Sequence, residues 1–521
     1  MNTFKRKALT TAVLGTLGVA GSAHAIWQDT TDNKGEALVY PYYTVNSDPQ
    51  GNPFWTIISV VNTTSDVKVV KVRFREGKAS AEVLDFNLYL SPNDMWTGAV
   101  VPASADAGAP GHLVTSDVSC TNPVIPAGGI DFRNYQYTGP FDDPLADTLD
   151  RTREGYAEMF EMGILTGTPY GDAATHAPGG APTCTGLVGP SLAASVGSAT
   201  LAPTGGLAGT GTIINVLSGR DTMYKANAFS DYSASNLYSD IGNDLPNFSQ
   251  TNPPNSVVVK TDPLVAGQQD VYLASFSAVV NGSGTLLVTD GTQAASSTMM
   301  HTDVINEFIL DSATQSNTDW VFTFPTKRLY VSAATAVAPF SNRLTSSGAC
   351  ELIGFTYFNR EEATAVSSGV DFSPTPPGAA ANSLCFESTI LSFRNGSANA
   401  PASPATPSLV LGSANVTAVT VGATFQNGWA DVNFAGVNAT STTTGGIVSG
   451  LAPGSLAAFY GANGPGGGVT AVGGPIQYLG LPVLGFMVRT FSNGLLQCSG
   501  ASCLGNYLGN VPHSYTTVIT P

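Results

Sequence analysis

The sequence predicts a mostly β chain: antiparallel, Ig-like β-sandwich modules with long Gly/Ala/Ser/Thr loops and a few short helices. Three observations carry that reading. Val70, Val72 and Phe74 alternate with Lys71, Arg73 and Arg75, a period of two that marks a strand with one buried and one wet face. Such segments recur with turn clusters between them, at the spacing of about 8–12 residues usual in sandwiches. The 521 residues include 57 glycines and 33 prolines, which favour turns over long helices.

The elements follow in chain order. Lys5, Arg6 and Lys7, the apolar run Ala8 to Ala20 and the small-residue site Ala23-His24-Ala25 form a secretory signal peptide over residues 1–25, cleaved before Ile26. The run is shorter than the roughly 20 residues a membrane span needs, and no later segment reads as a transmembrane helix. Gly/Ala/Pro tracts also break the rhythm of a closed outer-membrane barrel. Thr56 to Val61 is an apolar run, followed by the turn cluster Asn62 to Asp66. Leu84, Phe86, Leu88 and Leu90 repeat the alternation, Ser91 to Asp94 turns, and Met95 to Val101 is the next strand. Asp143-Pro144 starts a short helix over 144–154 that Gly155 stops, and Tyr156 to Leu165 resumes as a strand. Residues 178–211 read as a long loop, ahead of a hairpin from Thr212 to Leu217 and Thr222 to Phe229.

The aperiodic stretch 239–256 separates an N-terminal sandwich domain, 26–240, from a C-terminal β-rich domain, 257–521. There, Asp262-Pro263 opens a helix over 263–280, with Tyr272, Phe276 and Val279 at helical spacing and Asn281-Gly282 as its stop. Strands return at Asp303–Leu310, Trp320–Phe324, Arg328–Val331, Leu352–Phe358 and Phe386–Phe393. Loops at 396–418 and 436–476 interleave with strands at Ala423–Phe434, Leu479–Phe491 and Tyr515–Ile519.

Composition excludes whole classes of function. Charged residues are 11% of the chain and the formal net charge is −16, a balance that disfavours a nucleic-acid binder, which needs basic surface to neutralise phosphate. Six cysteines behind a signal peptide read as disulfides, paired in the simplest order as Cys120–Cys184, Cys350–Cys385 and Cys498–Cys503. Six cysteines admit fifteen pairings. Zinc is disfavoured because only Cys498 and Cys503 are close and they lack a partner pair.

Catalytic motifs are missing. His112, His176, His301 and His513 are far apart beside loop signals and read as solvated. No H-E-x-x-H, G-x-S-x-G or Walker A sequence occurs. The carboxylate pairs Glu158/Glu161 and Glu361/Glu362, candidates for glycosidase chemistry, fall on opposite strand faces and read as surface groups. Asp142, Asp143, Asp147 and Asp150 put four carboxylates beside a Gly-Pro turn and form a candidate Ca²⁺ site, the only cofactor the sequence offers. Tyr40, Tyr42 and Tyr43, with Trp27 and Trp55, are a candidate sugar-stacking platform, and Asn62-Thr63-Thr64 is a glycosylation sequon by pattern. Lys68, Lys71, Arg73 and Arg75 make the one dense basic strand, expected to face water and to meet an acidic patch such as Asp142 to Asp150 on a neighbouring copy.

Separate islands of the chain resemble a family of uncharacterised exported proteobacterial proteins described as cell-surface or S-layer-like. They are Leu38-Val39-Tyr40-Pro41-Tyr42-Tyr43, the segment Ser59 to Pro92, Thr318 to Arg328, and Gly480 to Phe486, well under a third of the chain. The resemblance implies a surface location and β-rich modules, and carries no catalytic residue; the six cysteines depart from the usual S-layer pattern. The expected function is therefore a non-enzymatic, secreted structural protein of the cell surface or extracellular matrix. Its expected partners are copies of itself or other cell-envelope components. A glycan- or surface-binding adhesin is the alternative, and a secreted hydrolase ranks third.

Overall fold

The computed structural model describes residues 26–28, 31–178, 180–250, 257–265, 268–275, 290–332, 335–366, 383–395, 407–422, 425–434, 448–451, 475–498 and 501–520. Residues 1–25, where a signal peptide is expected, lie outside them. The chain is mostly β, and the strand pairs are antiparallel apart from Ser388–Asn395 with Val416–Val421.

Thirteen strands are described up to residue 230: β1 (Trp27–Gln28), β2 (Ala37–Thr44), β3 (Trp55–Asn62), β4 (Val67–Glu76), β5 (Glu82–Leu90), β6 (Met95–Pro102), β7 (Gly111–Val114), β8 (Cys120–Asn122), β9 (Ile130–Asp131), β10 (Glu154–Leu165), β11 (Leu207–Asn215), β12 (Arg220–Lys225) and β13 (Asn227–Ser230). They form a seven-stranded sheet, β1-β13-β2-β10-β4-β5-β8, and a six-stranded sheet, β12-β11-β3-β6-β7-β9. One apolar core lies between them. β4 contributes Val70, Val72 and Phe74, and the six-stranded sheet contributes Ile58, Val60, Trp96, Val100 and Ile213, all fully buried. Each such side chain contributes roughly 1.5–3 kcal/mol through removal from water.

β10 inserts between β2 and β4. Its register slips between Glu161 and Gly163, a β-bulge that re-aims the strand. Gly163 lies at φ +148°, and a Cβ there would collide with the Leu201 carbonyl that pairs with Ile164.

Beyond residue 300, two five-stranded sheets enclose a second core. Trp320, Phe322 and Phe324 share one face, as their spacing predicts, and pack with Phe308, Phe355 and Phe393. The opposite face of the same strands supplies Val321, Ile390, Phe486 and Val488 to the first core. Phe486 stacks on Tyr224 at 4.9 Å. Residues on both sides of 239–256 thus share one core.

Several local expectations are corrected. The segment 144–154 is helical only in the 3-10 turn Leu149–Arg153, because the carbonyls of Ala146 and Asp147 accept from the Arg151 and Asn134 side chains and not from helical amides. The segment 263–280 is not helical where described: Val257–Val265 and Gln268–Ser275 form an antiparallel hairpin, and 276–289 lie outside the described residues. Arg328–Val331 is a single helical turn, not a strand. The loop expected over 178–211 ends where β11 begins at Leu207. The tracts 396–418 and 436–476 contain the starts or whole of strands at Val416–Val421, Val448–Leu451 and Pro475–Tyr478.

Among the described residues two disulfides are present, Cys120–Cys184 and Cys350–Cys385, in the sequential order. Cys498 and Cys503 lie on paired strands, and their side chains are outside the described residues. Among the described residues no helix is long and apolar enough to cross a membrane.

Candidate functional site

The densest charged chemistry in the molecule lies on β4, and all of it is buried. Alternation puts Lys71, Arg73 and Arg75 on the face of the seven-stranded sheet turned away from the first core. They were expected to meet water. Instead, the segment 240–246 roofs that face with backbone carbonyls. Lys71 Nζ donates to the Asp240 carbonyl at 3.2 Å and to Asp85 at 3.1 Å. Arg73 donates to the carbonyls of Pro246 at 2.9 Å and Asn243 at 3.1 Å, and to Glu82 at 2.6 Å. Arg75 donates to Glu158 at 2.7 Å, to the Ser80 carbonyl at 2.9 Å and to Asp244 at 3.0 Å. Arg328 reaches the same Asp244 carboxylate at 2.8 Å, so the network joins the C-terminal part of the chain.

The other face of β4 buries one charge at each end of its apolar run. Lys68 is fully buried and donates to Glu161 at 2.8 Å, to Thr204 at 2.5 Å and to the Gly205 carbonyl at 2.7 Å, which uses all three of its protons. Glu161 in turn accepts from the amides of Thr204 and Gly205. At the far end Glu76 accepts from the amides of Lys78, Ala79 and Ala81 and from Arg151.

The electrostatics follow from this burial. Desolvation pushes Lys71 down, against the pull of Asp85. It pushes Glu161 up, while Lys68 and the two loop amides push it back. For Asp244 burial alone would raise the carboxyl, but Arg75, Arg328 and Arg73 hold it well below the usual range. Glu36, buried and facing Glu161 and Asp231, rises to about 8, chiefly by desolvation. Isolated buried ions cost many kcal/mol, and only complete pairing makes them tolerable.

The other sequence candidates fall out as follows. Glu158 and Glu161 do lie on opposite sides of the sheet, but both are buried in ion pairs and neither is a surface group. Glu361 and Glu362 are exposed. The four aspartates are not brought together. Asp142, Asp147 and Asp150 are exposed, and both Asp143 oxygens are engaged by Arg151, at 2.8 and 3.0 Å. Among the described residues no three His, Cys, Asp or Glu side chains converge as a metal-ligand set.

Tyr40, Tyr42 and Tyr43 are fully buried, so they make no stacking platform; Trp55 is exposed, and the side chain of Trp27 is outside the described residues. Asn62 is buried and its amide donates to the carbonyls of Asp66 and Ser91, which removes it as a glycan acceptor. His301 and His513 are buried rather than solvated. His513 lies between Trp320 and Phe322, bonded to Asn306 and the Val321 carbonyl, and burial drops it to about 3. A shallow hollow of about 260 Å³ beside Asn236, Tyr238 and Asp240 holds one carboxylate, whose Oδ1 already accepts from the Leu192 amide.

Sequence reasoning missed two features. One is the roof over β4, whose acceptors are backbone carbonyls and carry no residue-type signal. The other is a stacked pair, Phe358 on Trp429, with centroids 4.5 Å apart and Trp429 41% exposed. Alternation on two adjacent strands was its available signal. No protein-family model matches the chain, and neither a curated protein nor a solved structure matches it.

Proposed function

We propose that the protein is an exported, non-enzymatic structural component of the cell surface or extracellular matrix. One observation carries this reading: the charged groups that could do chemistry, Lys68, Lys71, Arg73, Arg75 and their carboxylates, are spent on holding the fold together. General acid–base or nucleophilic catalysis needs a group within reach of a substrate. The two disulfides support an oxidising compartment.

The test is fractionation of expressing cells with N-terminal sequencing of the recovered chain. The expected result is envelope or medium location and a first residue of Ile26, with no turnover of peptide, ester or glycoside panels. Recovery in the cytosol with Met1 intact, or turnover of any panel, overturns the reading.

The adhesin reading has its own support in the exposed Phe358–Trp429 stack, since a flat aromatic surface is what a sugar ring packs against. Trp429→Ala abolishing retention on a polysaccharide column would favour it.

A further inference from the structure

The six-stranded sheet has a second face, away from the core, and its composition is unusual. Strand register maps it in rows. Trp55 of β3 stands beside Ile214 of β11 and next to Val101 of β6. Ile57 lies between Thr212 and Ala99, Ser59 between Thr210 and Thr97, and Val61 between Ala208 and Met95. No ionisable side chain occurs in any of these rows on β3, β6 or β11. Charge is confined to the margins: Asp221 and Lys225 on β12, His112 on β7 and Asp131 on β9. Trp55, Met95 and Met223 are 41%, 52% and 60% exposed.

We infer that this face is a self-association surface that seats the same face of a second copy of the chain. Three arguments select that occupant. First, the chain carries a formal net charge of −16, so two copies repel wherever charged surfaces meet. A broad face with neutral rows is where they can approach without that penalty. Second, the size fits. The seven-residue outer stretches of β11, β3 and β6, flanked by the six residues of β12 and the four of β7, project roughly 500 Å² at about 4.8 Å between strands and about 3.3 Å per residue. Interdigitating side chains raise the accessible area covered toward the ~800 Å² per partner of a specific interface. Third, face-to-face sheet packing is isologous, so a single self-complementary patch closes a two-fold dimer without any second site. Apolar patches of this size on a lone chain mark interaction surfaces.

This rests on the structural-component reading, and the two fail separately: catalytic turnover sinks that reading and leaves a dimer standing. The experiment is sedimentation velocity of the chain from Ile26 onward, over a concentration series at low and high salt, with the variants Ile57→Lys and Met95→Glu. The wild type is expected to dimerise with rising concentration, and at least as strongly at high salt, because the contact is neutral. Each variant is expected to weaken the dimer ~30-fold or more by placing a charge in the desolvated centre, with an unchanged urea midpoint showing that it folds. A wild type that stays monomeric throughout overturns the inference. So does a dimer that both folded variants retain, or one that dissolves in high salt. A monomer captured by polysaccharide or apolar beads through this face also overturns it, in favour of a different occupant.

Discussion

The two sheets of the N-terminal sandwich share one core and treat their other faces in opposite ways. On β4 that face carries Lys71, Arg73 and Arg75 and is roofed by residues 240–246. On β3 it carries Trp55, Ile57 and Val61 and has no roof among the described residues. The sandwich thus buries the cations of β4 and leaves aliphatic side chains of β3 toward water. A period-of-two pattern distinguishes the two faces of a strand; which one is wet depends on what the rest of the chain lays over it. A charged face can be interior when the covering segment brings its own acceptors, and each cation here finds at least two.

The largest effect should come from breaking the buried pairs. Glu161→Gln leaves Lys68 buried without its anion and is expected to cost about 3–5 kcal/mol, read as a drop in the urea midpoint. The double variant Lys68→Met with Glu161→Leu should recover most of that loss. A single variant within about 1 kcal/mol of wild type would mean that Lys68 reaches water, and the contrast between the sheets would dissolve.

Next is the Cys120–Cys184 crosslink, which spans 64 residues and ties β8 to the segment beyond β10. Replacing both cysteines by serine should remove about 4 kcal/mol by the chain-entropy relation. Calorimetry without reductant should show this loss in the double variant; reductant, which also opens Cys350–Cys385, should lower the wild type further and the double variant only by that remaining crosslink.

A smaller effect should appear in pH dependence. Glu36 holds its proton to about 8 in the folded chain, chiefly because it is buried, against an ordinary 4.5. Between those values the unfolded chain has lost the proton and the folded chain has kept it. Stability therefore falls as pH rises from about 4.5 to 8. Glu36→Gln should flatten that fall in urea midpoints taken at pH 5 and pH 8. An unchanged slope would place the charge of Glu36 in contact with water.

The smallest effect belongs to the open face. Ile57→Thr in the monomer should change stability by no more than about 0.5 kcal/mol, because the side chain has no apolar partner across it. A loss of several kcal/mol in dilute protein would show that something covers the face.

Much of this fold was legible in the sequence. Alternation located β4, β5 and the shared face of Trp320, Phe322 and Phe324, and the turn and stop signals before Met95 and Tyr156 located β6 and β10, because those signals are local. The hairpin at 257–275 was misread because Tyr272, Phe276 and Val279 fit a helical spacing over too short a window to decide. The helix expected at Pro144 fails although Asp143 accepts from the Leu145 amide as a cap would, because the carbonyls of Ala146 and Asp147 accept from the Arg151 and Asn134 side chains instead of from helical amides. The burial of β4 was illegible for a different reason. Asp85 and Glu82 are near in sequence, but the partners Glu158, Glu161 and Asp244 lie 83 to 169 residues further along the chain, where no window of sequence connects them.

That same separation sets a timetable. Lys68 and Arg75 leave the ribosome well before their anions, and β4 itself waits for β10, made some eighty residues later, to take its place beside it. Until Asp244 and its neighbouring carbonyls have emerged, a sheet closed early would hold unpaired charge, and it stays open. Folding is thereby biased toward a late, concerted step with high contact order, slow by the standards of local topologies. A chain truncated before residue 240 should remain unfolded and not form a smaller sandwich.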